Sequence, residues 1–148
     1  MWKLYVCLLG YLSVESGSDI RKKEISVPRS VICGGIVLLL RIGMGLLRPQ
    51  ADAVQFLLTA ILPGCLLLLT GKITRQEIGY GDGILLLVCG LCLGWKDAML
   101  LFVSGLFLMF PVSLVLLLSG RADRRAELPF APFLLASYLS WLMQQTKL

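Results

Sequence analysis

Ala98–Leu118 reads AMLLFVSGLFLMFPVSLVLLL, an apolar stretch without a charge. A membrane-crossing helix needs about 20 such residues, so this stretch is long enough to span a bilayer. Working outward, five more apolar runs appear: Trp2–Val14, Val31–Leu47, Ala53–Leu69, Gly83–Trp95 and Pro129–Met143. Six spans of about 20 residues occupy about 120 positions, and the chain has 148. Little remains besides loops. Composition agrees: 57% of residues are hydrophobic and 16% charged, against roughly 25% charged in a soluble domain. The expected fold is all-α: a polytopic membrane protein of six transmembrane helices, one domain over residues 1–148. The first run has a Lys and small residues after it, as a signal peptide does, but no A-x-A site follows; it reads as a retained helix.

Charge sets the expected orientation. Arg21, Lys22, Lys23 and Arg29 lie in or beside the first loop, Lys72 and Arg75 in the third, and Arg121, Arg124 and Arg125 in the fifth. These loops share one face, which carries nine of the fourteen basic residues. Lys3, Arg48, Lys96 and Lys147 fall on the other. The positive-inside rule then puts loops one, three and five in the cytoplasm and both termini outside. The net charge of +5 therefore reads as topology, not as a nucleic-acid surface. Arg41 lies inside the second span and is expected to snorkel toward the end marked by Arg48.

The chain has no His, which removes imidazole as base or metal ligand. Its five cysteines lie within apolar runs. Cys89 and Cys92 form a C-x-x-C on one helix face; with no cation beside them to favour thiolates, they read as small buried residues. No metal and no cofactor are expected.

Two acids stand apart. Asp19 lies in the first loop and Asp82 in the third, so both face the same side. Asp82 sits in Gly79-Tyr80-Gly81-Asp82-Gly83, just before the fourth apolar run. Glycines there permit positive φ and close approach of another backbone, as an extended substrate strand would need. They equally suit a flexible turn capped by Asp at a helix start. The runs Trp2–Val14, Gly83–Trp95 and Pro129–Met143 are short for the bilayer. Their shortfalls at one face suggest either polar ends that continue these helices into the headgroups or a water-filled cavity with Asp82 near its floor. There, desolvation and a neighbouring carboxylate outweigh the helix N-terminus and favour protonation. Asp19 and Asp82 would then share a proton and titrate as a pair. One would deprotonate water and the other protonate a leaving amine, which is peptide hydrolysis without His or metal. Glu15, Glu24 and Glu77 read as solvated loop acids, as do Asp123 and Glu127. Asp52 and Asp97 fall on the opposite face.

Three stretches together resemble the type IV prepilin peptidase family, the G-x-G-D aspartic peptidases of prokaryotic membranes. They are Asp19-Ile20-Arg21-Lys22-Lys23-Glu24-Ile25, then Gly79-Tyr80-Gly81-Asp82, then Pro129-Phe130-Ala131-Pro132-Phe133-Leu134. The resemblance implies removal of a basic leader from prepilin- or pseudopilin-like substrates at the cytoplasmic face of the plasma membrane. It implies Asp19 and Asp82 as the catalytic pair. Gly79, Tyr80, Gly81, Gly83, Pro129, Phe130 and Pro132 would shape the site or bind substrate. The chain departs from the family where Ser26 follows Ile25 with Pro28 beyond, where no Lys follows Asp82, and where Ala131 replaces Gly. The cysteine-containing cytoplasmic segment of larger members has no room here, so methyl transfer and S-adenosylmethionine are not expected. The alternatives are a non-catalytic assembly partner that binds prepilin-like helices, or a small transporter. A transporter would want acids distributed through the bilayer, and no acid lies mid-span.

Overall fold

The computed structural model describes residues 2–22, 25–43, 50–73, 80–119 and 128–145. Among them are six helices: α1 (Trp2–Lys22), α2 (Val27–Gly43), α3 (Gln50–Ile73), α4 (Tyr80–Leu93), α5 (Trp95–Leu118) and α6 (Ala131–Gln145). Two stretches, Val54–Ile73 and Trp95–Leu118, are long and apolar enough to cross a membrane, and α4 is a shorter apolar helix.

α1 does not stop at Val14, where the apolar run ends. It continues to Lys22, so Asp19 stands on a helix rather than in a loop. The reason is its buried stripe. Leu4, Leu8, Tyr11 and Leu12 recur at helical spacing and are buried, and Glu15, Ser16 and Asp19 extend the same face. Side chains three and four apart share a helix face, so packing carries the helix past its last apolar residue. α6 runs antiparallel to α1. Its Tyr138 hydroxyl donates to the Tyr5 carbonyl at 2.9 Å, and Trp141 meets Tyr5 edge-on at 5.4 Å between ring centroids.

α3 and α4 form the most extensive helix pair, and glycines set their closeness. A Cβ on Gly90 would run into the backbone carbonyl of Ala60, and one on Gly64 would come within 2.9 Å of Leu87. Small residues let helix backbones approach, which is how helices associate where lipid supplies no hydrophobic driving force.

At the far end of the bundle, α4 passes into α5 through Gly94 alone, whose φ of 92° favours glycine. The last carbonyls of α4 lack partners within the helix. Arg41 supplies them: Nε donates to Leu91 O and NH2 to Cys92 O, each at 2.8 Å. Its guanidinium also lies 4.2 Å from the Phe56 ring centroid. Arg41 is 7% exposed, so it is buried as a cap on another helix instead of snorkelling to water. A cation at a helix C-terminus is also favoured by the macrodipole. Cys89 and Cys92 are buried in the core, as small packing residues.

Candidate active site

The end of α1 and the starts of α2, α4 and α6 converge. Asp19, 6% exposed, lies one turn before the end of α1. Its Oδ2 accepts a hydrogen bond from the Ala131 N–H at 2.9 Å. This is capping chemistry delivered from a distant helix: a carboxylate satisfies one of the orphan donors of α6 and faces the positive end of its dipole.

The segment Pro129-Phe130-Ala131-Pro132 shows why that donor is presented. Phe130 precedes the helix, and its carbonyl accepts from the Phe133 and Leu134 N–H groups at 3.0 and 3.1 Å. Its buried ring packs edge-on against Phe102, with centroids 5.5 Å apart. Pro132, in the first turn, has no N–H to satisfy and holds φ near the helical value. Pro129 is half-buried in the approach to the helix.

Tyr80-Gly81-Asp82-Gly83 is the first turn of α4. It is helical, and among the described residues Gly94 is the positive-φ glycine. The glycines therefore serve close approach, and the partners are the protein's own side chains. A Cβ on Gly81 would meet Ile25 Cδ1 at 2.5 Å, and one on Gly83 would meet Leu68 Cγ at 2.7 Å. Asp82 is thus flanked by two positions where the neighbouring chain closes in. Tyr80 opens the helix and is exposed. Gly79 lies outside the described residues, as do Lys23, Glu24, Glu77, Asp123 and Glu127.

Asp82 lies before the apolar run that begins at Gly83. Burial, and then the charge of Asp19, push its carboxyl up to about 7. The structure thus brings Asp19 and Asp82 within electrostatic reach of one another, with Asp19 holding a hydrogen bond from Ala131.

Glu15 departs from the expectation of a solvated acid. It is 0% exposed, with Oε1 3.1 Å from Arg29 Nε. Its Oε2 accepts from the Ser26 N–H at 3.3 Å and from Arg29 NH2 at 3.4 Å. The spacing of Leu8, Leu12, Glu15 and Asp19 on one helical stripe is the signal that could have placed it inside. An apolar cleft of about 460 Å³ lies elsewhere, between α3, α4 and α5. Leu62, Leu66, Leu86 and Met99 are among its walls.

A helical membrane protein with two aspartates gathered at one end of its bundle is the class that fold and site define. The profile of the type IV leader peptidase family matches residues 4–114, and the chain belongs to that family. The match takes in both aspartates and ends before Pro129. No curated protein and no solved structure matches the chain.

Proposed function

We propose that this peptidase is an aspartic endopeptidase whose catalytic pair is Asp19 and Asp82, and that it removes the basic leader from a prepilin- or pseudopilin-like protein. The observation that carries the reading is a buried Asp19 whose charge reaches Asp82. Burial and then the charge of Asp19 push the Asp82 carboxyl up to about 7, and the Asp19 carboxylate accepts a hydrogen bond from the Ala131 N–H.

In this scheme Asp19 takes a proton from a water whose oxygen attacks the scissile carbonyl carbon. Asp82 supplies the proton that the departing amine needs. The water's atoms end on the two products, and proton transfer between the aspartates resets the pair. Tyr80, Gly81, Gly83, Pro129, Phe130 and Pro132 shape the site or bind substrate. The apolar runs of the six helices, from Gly83 onward in α4, span the plasma membrane of a prokaryotic cell with both termini outside. The site then opens to the cytoplasm, where the basic loops lie. The mechanism calls on no cofactor.

Co-expression with candidate prepilins tests the reading. Mass spectrometry should show leader loss with the wild-type chain and none with Asp82→Asn. Leader loss that persists in Asp82→Asn overturns it.

A further inference from the structure

The scheme above uses Asp19 and Asp82 and leaves a third carboxylate, Glu15, one turn away on the same face of α1 and fully buried. Its partner Arg29 stays 42% exposed, so the desolvation cost falls on Glu15, and a buried carboxylate is expensive unless it is paired and hydrogen-bonded. What such a pair supplies is a fixed orientation between the elements it joins.

Among the described residues, the hydrogen bonds and ion pair of Glu15 lead to one place. Its carboxylate takes the Ser26 N–H and the guanidinium of Arg29. Arg29 also donates to Ser18 Oγ at 2.7 Å. One turn further up α1, the Tyr11 hydroxyl lies 2.7 Å from Ser30 Oγ, and Ser30 Oγ donates to the Ser26 carbonyl at 3.0 Å. Ser26 is thereby held through both its N–H and its carbonyl. The residue before it, Ile25, fills the space that a Cβ on Gly81 would take. Gly81 is bonded to Asp82.

We propose that Glu15 is a positioning residue: with Arg29 it fixes Ser26 and Ile25 against Gly81, and so sets Asp82 in place opposite Asp19. The assignment of a role in catalysis rests on the proposed pair. The mechanical link from Glu15 to the start of α4 does not, and it has its own readout.

Hydrogen exchange on the full chain in detergent reads that link. Amides 84–87 donate within α4 to carbonyls 80–83. Glu15→Ala should speed their exchange about tenfold while amides 135–141 of α6 stay unchanged. Glu15→Gln keeps an oxygen acceptor for the Ser26 N–H and should restore most of the protection. Ile25→Ala, which leaves the Glu15–Arg29 pair intact, should reproduce the change at 84–87. With a prepilin substrate, Glu15→Ala should lower kcat about tenfold or more at unchanged KM. Unchanged exchange at 84–87 in Glu15→Ala and Ile25→Ala overturns the link. Full kcat in Glu15→Ala overturns the catalytic role. Absence of cleavage by the wild type counts against the proposed function instead, and the exchange experiment still decides the positioning.

Discussion

Asp19 and Ala131 are 112 positions apart, yet the carboxylate of one accepts a hydrogen bond from the backbone N–H of the other at 2.9 Å. A candidate catalytic group is thereby built into the start of another helix. Its orientation is set by the fold rather than by the substrate.

This double duty separates two substitutions. Asn caps helices about as well as Asp, whereas Ala loses about 0.5–2 kcal/mol at such a position. Asp19→Asn should stay within a few tenths of a kcal/mol of wild type in thermal unfolding in detergent, and Asp19→Ala should fall by the larger amount. Loss of cleavage in Asp19→Asn then reports chemistry. Equal stability losses in the two variants would contradict the cap.

The raised pKa of Asp82 has a stability consequence of definite sign. Its folded value of about 7 lies above the ordinary 3.8, so the folded state holds a proton that the unfolded state releases. Stability from this group is fully present below about 4 and is lost as pH rises through about 7. Asp82→Asn should therefore match wild type near pH 4 and exceed it above pH 7, by unfolding midpoint. Under the proposed scheme, in which Asp82 supplies a proton, the cleavage rate should fall as pH rises through about 7. An unfolding midpoint that tracks wild type at every pH would contradict the burial of this charge.

Helix spacing predicts a contrast between glycines. Gly90→Ala forces α3 and α4 apart at the Ala60 carbonyl and should cost about 1–3 kcal/mol as overpacking. Gly10→Ala, with nothing within 4 Å of the new methyl, should be neutral or stabilising by up to about 1 kcal/mol. Unfolding in mixed micelles measures both.

Arg41→Met removes two hydrogen bonds from a charged donor to Leu91 and Cys92 carbonyls. Bonds to charged groups are worth about 1.5–3 kcal/mol each, and Met recovers some packing. A net loss of about 2–4 kcal/mol is expected by the same rule, with Arg41→Lys intermediate because one ammonium cannot match the fork.

Much of this is legible in the sequence, and the reasons are particular. The runs ending at Leu69 and Leu118 show themselves by length, and Asp82 by its glycines and place before an apolar run. The extent of α1 is not legible from hydropathy, because Glu15 and Asp19 meet partners at the starts of α2 and α6. Glu15 looks solvated until Arg29 and Ser26 are folded against it. Arg41 looks like a snorkelling cation until the end of α4 is placed beside it. The glycines around Asp82 leave open what approaches them. Ile25 and Leu68 answer that only in three dimensions, since pairing between helices is tertiary information.

The most direct test of the catalytic pair is a double-mutant cycle on leader cleavage in reconstituted membranes, with wild type, Asp19→Asn, Asp82→Asn and the double variant. A pair acting as one unit is strongly non-additive. Each single substitution should lower the rate about 10²–10⁴-fold, and the double variant should be no slower than the slower single. Additive losses, or full cleavage in either single variant, would contradict the shared role of Asp19 and Asp82.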